Sequence, residues 1–306
     1  HHRPPGPRGA RAGPVPVIRL AALALLVATA APAAAGWCGG GYDERRGSNF
    51  ALCDRWRVGP VQVAAHRGGA LLWPENSLLA FENALALGVD YLETDVHLTG
   101  DGEVVVLHDA TLDRTTTGQG RVRDVTRAGL AALRLRARDG STTDQPVPFL
   151  VEVLAAIAPT RAQLLLEIKV DAERRRYPGI EEKVVASLRR QALMGRTVIM
   201  AFEDDTLRQV RTLDADVRTA LLVARRRVVG APPGAVLHWA RRAQATHVGV
   251  DYHVLDVDLA AAARGAGLGV AAWTVNDEAA MQRAVEHGAQ ILITDRPDLA
   301  LRIVGR

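Results

Sequence analysis

The chain has 306 residues, of which 48% are hydrophobic, and it can therefore bury the core of one large domain or two average ones. Its net charge of +4 comes from the first 35 residues, which contain four arginines and no acidic residue and leave 34 basic and 34 acidic residues in the remainder. This balanced remainder gives no electrostatic reason to expect a nucleic acid as the partner.

Residues 1–35 have the pattern of a secretory signal peptide. Arginines precede a short apolar run, Leu20–Ala30, and the small residues Ala33–Ala35 follow as a cleavage site. The apolar run is too short to span a bilayer comfortably. We therefore expect a secreted or extracytoplasmic protein without a stable membrane anchor.

Residues 36–60 are predicted to form an N-terminal extension between the signal peptide and the first strand. Both cysteines of the chain, Cys38 and Cys53, lie in it. Because exported proteins fold in an oxidising compartment, we predict a disulfide between these two residues. Two free or buried thiols are the alternative.

From residue 61 onward, short β-branched runs alternate with helical patterns. The predicted strands are Val61–Ala65, Asp90–Leu98, Val104–His108, Leu164–Val170, Thr197–Phe202, Arg218–Val223, Val248–Tyr252, Gly269–Val275 and Ile291–Thr294. The predicted helices are 77–87, 149–158, 179–193, 204–213, 234–244, 256–266 and 277–288. This α/β alternation, repeated about eight times, predicts a (β/α)8 TIM barrel over residues 61–306.

An open, doubly wound sheet is the alternative fold, but no Gly-x-Gly-x-x-Gly follows the first strand. The stretch Ala110–Pro148 is polar, arginine-rich and weakly periodic. We interpret it as a small insertion after the early strands that lies over the mouth of the barrel.

Three carboxylates fall late in predicted strands, Glu93 and Asp95 in one and Glu167 in another. Residues two apart in a strand point to the same face, and the C-terminal ends of barrel strands carry the chemistry of this fold. Three like charges at one mouth favour a bound cation, and oxygen ligands favour Mg²⁺ or Ca²⁺ over zinc. The alternative is that each carboxylate pairs with an arginine at a barrel end.

Basic side chains occupy the ends of the same set of strands. His66 and Arg67 end the first strand, His108 closes the third, and Lys169 follows Glu167 by two residues. Imidazoles titrate near neutral pH and suit proton transfer, although a hydrogen-bonded structural histidine is the alternative. The guanidinium of Arg67 suits phosphate oxygens, and a surface ion pair is its alternative.

The other histidines receive weaker interpretations. His97 shares the strand face of Glu93 and Asp95, and we expect it to be structural because it is the last residue of that face. His247, His253 and His287 are scattered singly and receive no predicted role.

Several segments occur in one order along the chain: His66–Gly69, Pro74–Ser77, Leu92–Val96, His108–Asp109, Leu112–Thr116, Leu166–Lys169, Trp273–Asn276 and Thr294–Pro297. Together they resemble the glycerophosphodiester phosphodiesterase family over about residues 61–300. The resemblance implies a role for eight side chains: metal binding by Glu93, Asp95 and Glu167, acid–base catalysis by His66 and His108, phosphate binding by Arg67 and Lys169, and a pocket wall at Trp273. An ordinary barrel-core aromatic is the alternative for the tryptophan.

The resemblance further implies hydrolysis of a small-molecule glycerophosphodiester to an alcohol and glycerol 3-phosphate, with Ca²⁺ or Mg²⁺ as the cofactor. The neighbouring glycerol hydroxyl would attack phosphorus, and water would then open the cyclic phosphate. Two alternatives remain open at this point. One is a secreted enzyme of the phospholipase D or sphingomyelinase type on the same barrel, and the other is a catalytically silent binding or cell-surface protein.

Overall fold

In the computed structural model, which describes residue 2 and residues 59–306, eight parallel strands close into a barrel and confirm the predicted (β/α)8 fold. Each barrel strand pairs in parallel with the next, and the first strand pairs with both the second and the last, which closes the sheet. The strands of the barrel are β1 (Gln62–Ala65), β2 (Tyr91–Leu98), β6 (Gln163–Ile168), β7 (Thr197–Ala201), β8 (Arg218–Val223), β9 (His247–Asp251), β10 (Gly269–Trp273) and β11 (Ile291–Thr294).

Helices lie between the strands and pack outside them. They are α1 (Leu78–Leu87), α2 (Arg127–Ala131), α3 (Leu150–Ile157), α4 (Ile180–Arg190), α5 (Asp204–Leu213), α6 (Arg225–Val228), α7 (Ala235–Arg242), α8 (Val257–Gly265), α9 (Glu278–Glu286) and α10 (Pro297–Ile303). Local sequence explains the ends of α1, since the Ser77 hydroxyl accepts the N–H of Ala80 at 3.0 Å and Gly88 ends the helix at φ 81°.

Alternation along the strands divides the core into two layers. Side chains of one phase pack between the strands and the helices, as Val63, Leu92 and Leu166 do. Side chains of the other phase fill the barrel interior: Ala64, Tyr91, Leu165, Val198, Met200, Ala220, Leu222, Ala271, Ile291 and Ile293. The interior phase matters for function because the site residues described below continue it towards the C-terminal ends of the strands.

One predicted strand has a different place in the fold. The sequence predicts a strand over Val104–His108 that a turn at Asp101-Gly102 joins to the strand before it; β3 is shorter, Val104–Val106, and runs antiparallel to β2 instead of continuing the series of barrel strands. Only five residues, 99–103, separate β2 from β3, and Leu98 lies opposite Val104. So short a connection permits only an antiparallel return.

The insertion has more structure than its polar sequence indicated. It contains the 3-10 turn Val122–Asp124, helix α2 and an antiparallel hairpin of β4 (Arg134–Arg136) and β5 (Thr142–Pro146). A small apolar cluster that includes Leu112, Leu130 and Leu135 holds these pieces against β3. The buried residues are too widely spaced for a periodic pattern to reveal them.

The predicted signal peptide, residues 1–35, and the predicted Cys38–Cys53 disulfide lie outside the described residues. Within the part that is described, no helix has both the length and the apolar character needed to cross a bilayer.

Candidate active site

The barrel interior changes from apolar to charged along single strands. On β2, Tyr91 packs in the interior, and Glu93 and Asp95 follow it on the same face. On β6, Leu165 is followed in the same way by Glu167. Strand register then places Asp95 directly opposite Glu167, so the charged residues of two neighbouring strands meet at the C-terminal end of the barrel.

Glu93, Asp95 and Glu167 converge on one point, since each offers a carboxylate oxygen within 4.8 Å of the others. All three residues are buried. Burial, together with the neighbouring carboxylates Asp95 and Glu167, raises the pKa of Glu93 well above its ordinary value. Burial also raises the pKa of Glu167. The fold therefore brings three carboxylates together although their proximity and burial make the ionised forms of Glu93 and Glu167 less favourable.

The donor set of this carboxylate triad fits a hard divalent cation. Its ligand atoms are all oxygens, which Mg²⁺ and Ca²⁺ prefer. Lys169 Nζ lies 2.9 Å from Asp95 Oδ1 and 2.7 Å from Glu167 Oε1. One ammonium leaves the three carboxylates with a net negative charge, which a divalent cation can balance.

A strained turn carries Arg67 from the end of β1 to the triad. Its backbone is left-handed, with φ 50°, a conformation that costs a non-glycine residue on the order of 1 kcal/mol. The Arg67 N–H donates to Glu93 Oε2 at 2.8 Å, and the Arg67 carbonyl accepts the N–H of Asn76 at 2.9 Å. Gly68 follows at φ 81°, where a Cβ would lie 2.7 Å from that of Ala80. The turn therefore needs both its glycine and its contact with the triad.

The guanidinium of Arg67 lies between two carboxylates. Its Nε is 3.4 Å from Asp95 Oδ2, and its Nη1 donates to Glu75 Oε1 at 3.1 Å. Asn76 is fully buried and donates to the same Asp95 oxygen at 3.0 Å. Neither carboxylate accepts a well-formed hydrogen bond from the Arg67 Nε. This buried N–H therefore lacks an acceptor among the described residues.

His66 lies beside the triad and is oriented by Asp295. Its Nδ1 is 2.6 Å from Asp295 Oδ1, and its Nε2 is 3.9 Å from Glu93 Oε2. Burial opposes ionisation of Asp295, but the hydrogen bond from His66 lowers the pKa of Asp295 below its ordinary value. The carboxylate therefore accepts the Nδ1 proton, which leaves Nε2 unprotonated in the neutral ring. Asn276 Nδ2 donates to Asp295 Oδ2 at 2.7 Å and fixes the carboxylate in turn.

His108 reaches the site by a different route from the one predicted. It follows the antiparallel strand β3 and so does not end a barrel strand, yet its side chain lines the same cavity as His66. Its Nδ1 is 2.6 Å from Asp109 Oδ1, and Arg114 Nε donates to the other oxygen of Asp109 at 2.6 Å. Burial disfavours the charged form of Asp109, but these two hydrogen bonds lower its pKa below the usual range.

His97 is buried beneath this segment, as its structural interpretation predicts. Its Nε2 lies 3.0 Å from the carbonyl of His108, which can only accept, and so Nε2 carries the proton. Nδ1 then accepts the hydroxyl of Tyr177 at 3.0 Å. Burial lowers the pKa of His97 to about 4, so the ring stays neutral and holds the backbone of His108.

His66 and His108, with Glu93 and Glu167 of the triad, line a small cavity of about 100 Å³. Its opposite wall is apolar and includes Phe202 and Trp273, whose rings meet edge to face at 5.7 Å. The Trp273 indole donates to the carbonyl of Gly249 at 2.8 Å, which fixes the ring in that wall. The structure therefore brings every predicted site residue within the described range to one place: His66, Arg67, Glu93, His108, Glu167, Lys169 and Trp273 line the cavity, and Asp95 lies behind it.

The remaining histidines lie elsewhere. His247 begins β9 at the opposite end of the barrel, where its Nδ1 contacts Thr246 Oγ1 at 2.8 Å. His253 and His287 bind Asp251 and the carbonyl of Leu255.

Sequence reasoning missed the residues that orient the site. Asp295, Asp109 and Glu75 had no predicted role, although each belongs to a segment that carried the resemblance. A signal was present for Asp295, because it directly follows β11 and shares the interior phase of Ile291 and Ile293. The rule that placed Glu93 and Glu167 would have placed Asp295 as well.

Comparison with protein-family models agrees with the resemblance found in the sequence. Residues 66–299 match the model of the glycerophosphoryl diester phosphodiesterase family. A glycerophosphodiester phosphodiesterase of Caldanaerobacter subterraneus is 32% identical over 245 residues, which is 79% of this chain and 97% of the relative.

Two solved structures are also similar to this chain. One, from Agrobacterium tumefaciens, bears the same family name as a provisional assignment and has a TM-score of 0.75 at 28% identity, over 80% of this chain and 98% of that one. The other is an Oleispira antarctica phosphodiesterase in complex with its product sn-glycerol 3-phosphate, with a TM-score of 0.69 at 25% identity, over 81% of this chain and 98% of that one.

Proposed function

The chain belongs to the glycerophosphoryl diester phosphodiesterase family, and we propose that it is a secreted, divalent-metal-dependent enzyme that hydrolyses glycerophosphodiesters to an alcohol and sn-glycerol 3-phosphate. One observation carries the proposal: a cluster of three buried carboxylates and two carboxylate-bound histidines meet at a single cavity, with Asp95 just behind its lining. The product bound to the Oleispira antarctica relative supports the choice of substrate. Secretion rests on the signal-peptide pattern of residues 1–35.

The triad would hold the cation through Glu93, Asp95 and Glu167. When bound there, a divalent cation would act as a Lewis acid that offsets negative charge on the phosphoryl oxygens. The chain's own cations complete the phosphate site. Lys169 keeps its proton, because the carboxylates of Asp95 and Glu167 outweigh burial and raise its pKa. Arg67 lines the cavity and has a buried Nε–H without a well-formed hydrogen bond.

Proton transfer falls to His66 and His108. Each ring binds a carboxylate through Nδ1, and this contact fixes the ring's orientation and leaves Nε2 for the substrate. One histidine takes the proton of the attacking hydroxyl, and the other gives a proton to the departing alcohol oxygen. In the second half of the reaction the two roles exchange, as microscopic reversibility requires.

The attacking oxygen is proposed to be the glycerol hydroxyl beside the phosphate. A bond forms between this oxygen and phosphorus, the bond to the alcohol breaks, and water then opens the cyclic phosphate to give glycerol 3-phosphate. Among the described residues no serine or cysteine lines the cavity, and the hydroxyl of Thr274, which does line it, makes no hydrogen bond to His66 or His108 that would activate it as a nucleophile. A neighbouring hydroxyl has a large effective concentration, which lowers the barrier by several kcal/mol, about 7–11 in the best oriented cases.

The test compares glycerophosphocholine with its analogue that lacks this hydroxyl, with release of glycerol 3-phosphate and choline as the readout. Glycerophosphocholine, which has the hydroxyl, should be hydrolysed, and chelator should abolish its hydrolysis. The deoxy analogue should bind as a competitive inhibitor yet turn over at least about 100-fold more slowly, because it lacks the attacking oxygen. Equal turnover of both compounds would contradict the cyclic intermediate, and full activity in excess chelator would contradict the metal dependence.

A further inference from the structure

A second cavity, of about 480 Å³, adjoins the catalytic cavity. The two cavities share three residues, His66, Arg67 and Thr274. The outer wall of the second cavity comes from the β4–β5 hairpin of the insertion, and we call this cavity the hairpin groove. The rest of its lining is Ala70, Leu71, Glu75, Arg114, Thr115, Arg136, Ala137, Arg138, Gly140 and Asp295.

The carboxylates of the hairpin groove already have partners. Glu75 accepts Arg67 at 3.1 Å and Arg114 at 2.8 and 2.9 Å. Asp295 accepts His66 and Asn276. The negative charge in the groove is therefore committed to orienting the catalytic groups, and it does not offer a site for a cationic ligand.

Two arginines of the groove, in contrast, have no acidic partner. Within residues 59–306 no carboxylate forms an ion pair with Arg136 or Arg138. Arg136 is half-buried and rigidly held, since its Nε donates to the carbonyl of Thr116 at 2.8 Å and its Nη1 to that of Gly140 at 3.1 Å. These bonds satisfy hydrogen bonding but leave the positive charge uncompensated. A concave wall with charge of one sign concentrates ligands of the opposite sign.

A buried hydroxyl points to the same conclusion. Thr115 is only 5% exposed and lines the groove, yet its Oγ1 has no hydrogen-bond partner among the described residues. A buried hydroxyl without a partner loses on the order of 1–3 kcal/mol, and a ligand oxygen in the groove can restore that hydrogen bond. The lining contains no phenylalanine, tyrosine or tryptophan, so it lacks the aromatic faces that hold a quaternary ammonium group.

We propose that the hairpin groove binds a second anionic group, a phosphate diester or monoester, on the alcohol that leaves during hydrolysis. This inference rests on the proposed function and specifies its substrate class: glycerophosphodiesters whose alcohol carries a further phosphate, in preference to a neutral or cationic alcohol. The small cavity takes the glycerol side. The bond from phosphorus to the alcohol oxygen breaks where the two cavities meet, and the departing alcohol lies in the groove with its phosphate on Arg136, Arg138 and Thr115.

The experiment uses two substrates that differ only in this feature. Glycerophosphoglycerol has an uncharged leaving alcohol, and glycerophosphoglycerophosphoglycerol has the same alcohol bearing one more phosphodiester. At low salt the wild-type kcat/KM for the second substrate should exceed that for the first by about tenfold, beyond the factor of two for its two equivalent ends. The preference should shrink as salt is added.

Substitutions test which residues produce the preference. Because Arg136 is half-buried and held in place, Arg136→Gln should reduce the preference by about tenfold. Arg138 is exposed and makes no contacts that the fold needs, so Arg138→Gln should fold normally and reduce the preference by about threefold. Both effects should appear in KM for the doubly charged substrate. The matched control is Arg161→Gln, which removes an exposed arginine that has no ion-pair partner within residues 59–306; it lies just before β6 at the other end of the barrel, and its loss should leave the preference unchanged.

The outcomes separate the two levels of the proposal. No turnover of either substrate by the wild-type enzyme would overturn the proposed function and this inference together. Turnover of both with equal kcat/KM, or a preference that survives both Arg136→Gln and Arg138→Gln, would overturn the inference and leave the proposed function standing. A preference that the control variant lowers equally would show a general effect of net charge and would also overturn it.

Discussion

The two ends of the barrel interior treat polar groups in opposite ways. At the N-terminal end, the polar groups of the interior have neutral partners in two cases: Arg218 donates to the Gln163 side chain at 2.8 Å, and His247 Nδ1 contacts Thr246 Oγ1. At the C-terminal end, three carboxylates share one buried site, and the pKa values of Glu93 and Glu167 are raised. Folding alone does not favour such crowding. The difference teaches that charge concentrated without full compensation marks the end of the barrel where chemistry takes place.

The largest expected effect follows from removing one carboxylate of the triad. Glu93→Gln should remove bound divalent ion and lower kcat by on the order of 100-fold or more, because the variant lacks a carboxylate that would hold the cation, and the cation would offset negative charge in the transition state. Without metal, the variant should be at least as stable as the wild type, since the substitution removes one of the crowded charges.

Metal content, kcat and urea unfolding of chelated protein check this prediction. Glu82→Gln, on the exposed face of α1, is the control and should change none of the three. A chelated Glu93→Gln protein that is less stable than the wild type would mean that the triad serves the fold.

A second effect concerns the two histidines at the C-terminal end. His66→Ala and His108→Ala should each lower kcat by about 100-fold, since each removes a proton-transfer group. Both variants should keep the wild-type unfolding midpoint within a small margin, because both side chains line a cavity. Steady-state kinetics and thermal unfolding test this, with the exposed His238→Ala on α7 as the control. Near wild-type rates in either variant would return that histidine to a structural role.

The smallest expected effect is on stability at low pH and concerns His247, at the N-terminal end of the barrel. Burial, with the nearby charge of Arg218, lowers the pKa of His247 to about 4. The unfolded chain therefore binds a proton from about pH 6.5 downward while the folded protein does not, and stability falls as the pH drops from 6.5 towards 4. At pH 5 the wild type should have lost up to about 2 kcal/mol of unfolding free energy through this group, and His247→Gln should remove that loss.

Urea unfolding of both proteins at pH 7 and pH 5 measures this difference. Activity at neutral pH should be the same in both, because His247 lies at the end of the barrel remote from the cavity. An identical loss of stability in the wild type and the variant would contradict the assignment of acid sensitivity to this histidine.

The sequence predicted most of the fold because barrel strands are local patterns. β-branched runs gave the strands, and two-residue spacing gave the shared face of Glu93 and Asp95. It failed where structure depends on distant partners. The Asp101-Gly102 turn indicated a short connection before Val104, but strand period and composition did not show that β3 lies outside the series of parallel barrel strands, and the position of His108 depends on this. The contact of Asp295 with His66 joins residues 229 apart, which no local pattern records.

The insertion is a second region whose structure the sequence pattern did not predict. Its buried leucines are separated by many polar residues, so the stretch has the composition of a loop although it has a small core of its own. A role for Arg136 and Arg138 can be inferred only from the fold, because the hairpin places them in the same groove as Arg67.

The contact between His66 and Asp295 also has a consequence for synthesis of the protein. β1, which precedes His66, is among the first strands to leave the ribosome, and β11, which precedes Asp295, is the last. A nascent chain that ends before β11 has an open sheet with two unpaired edges, at β1 and β10. It also lacks the carboxylate that orients His66. We therefore expect activity to appear only when β11 pairs with β1 and β10 and closes the barrel. A chain that terminates before β11 should be inactive and prone to aggregate.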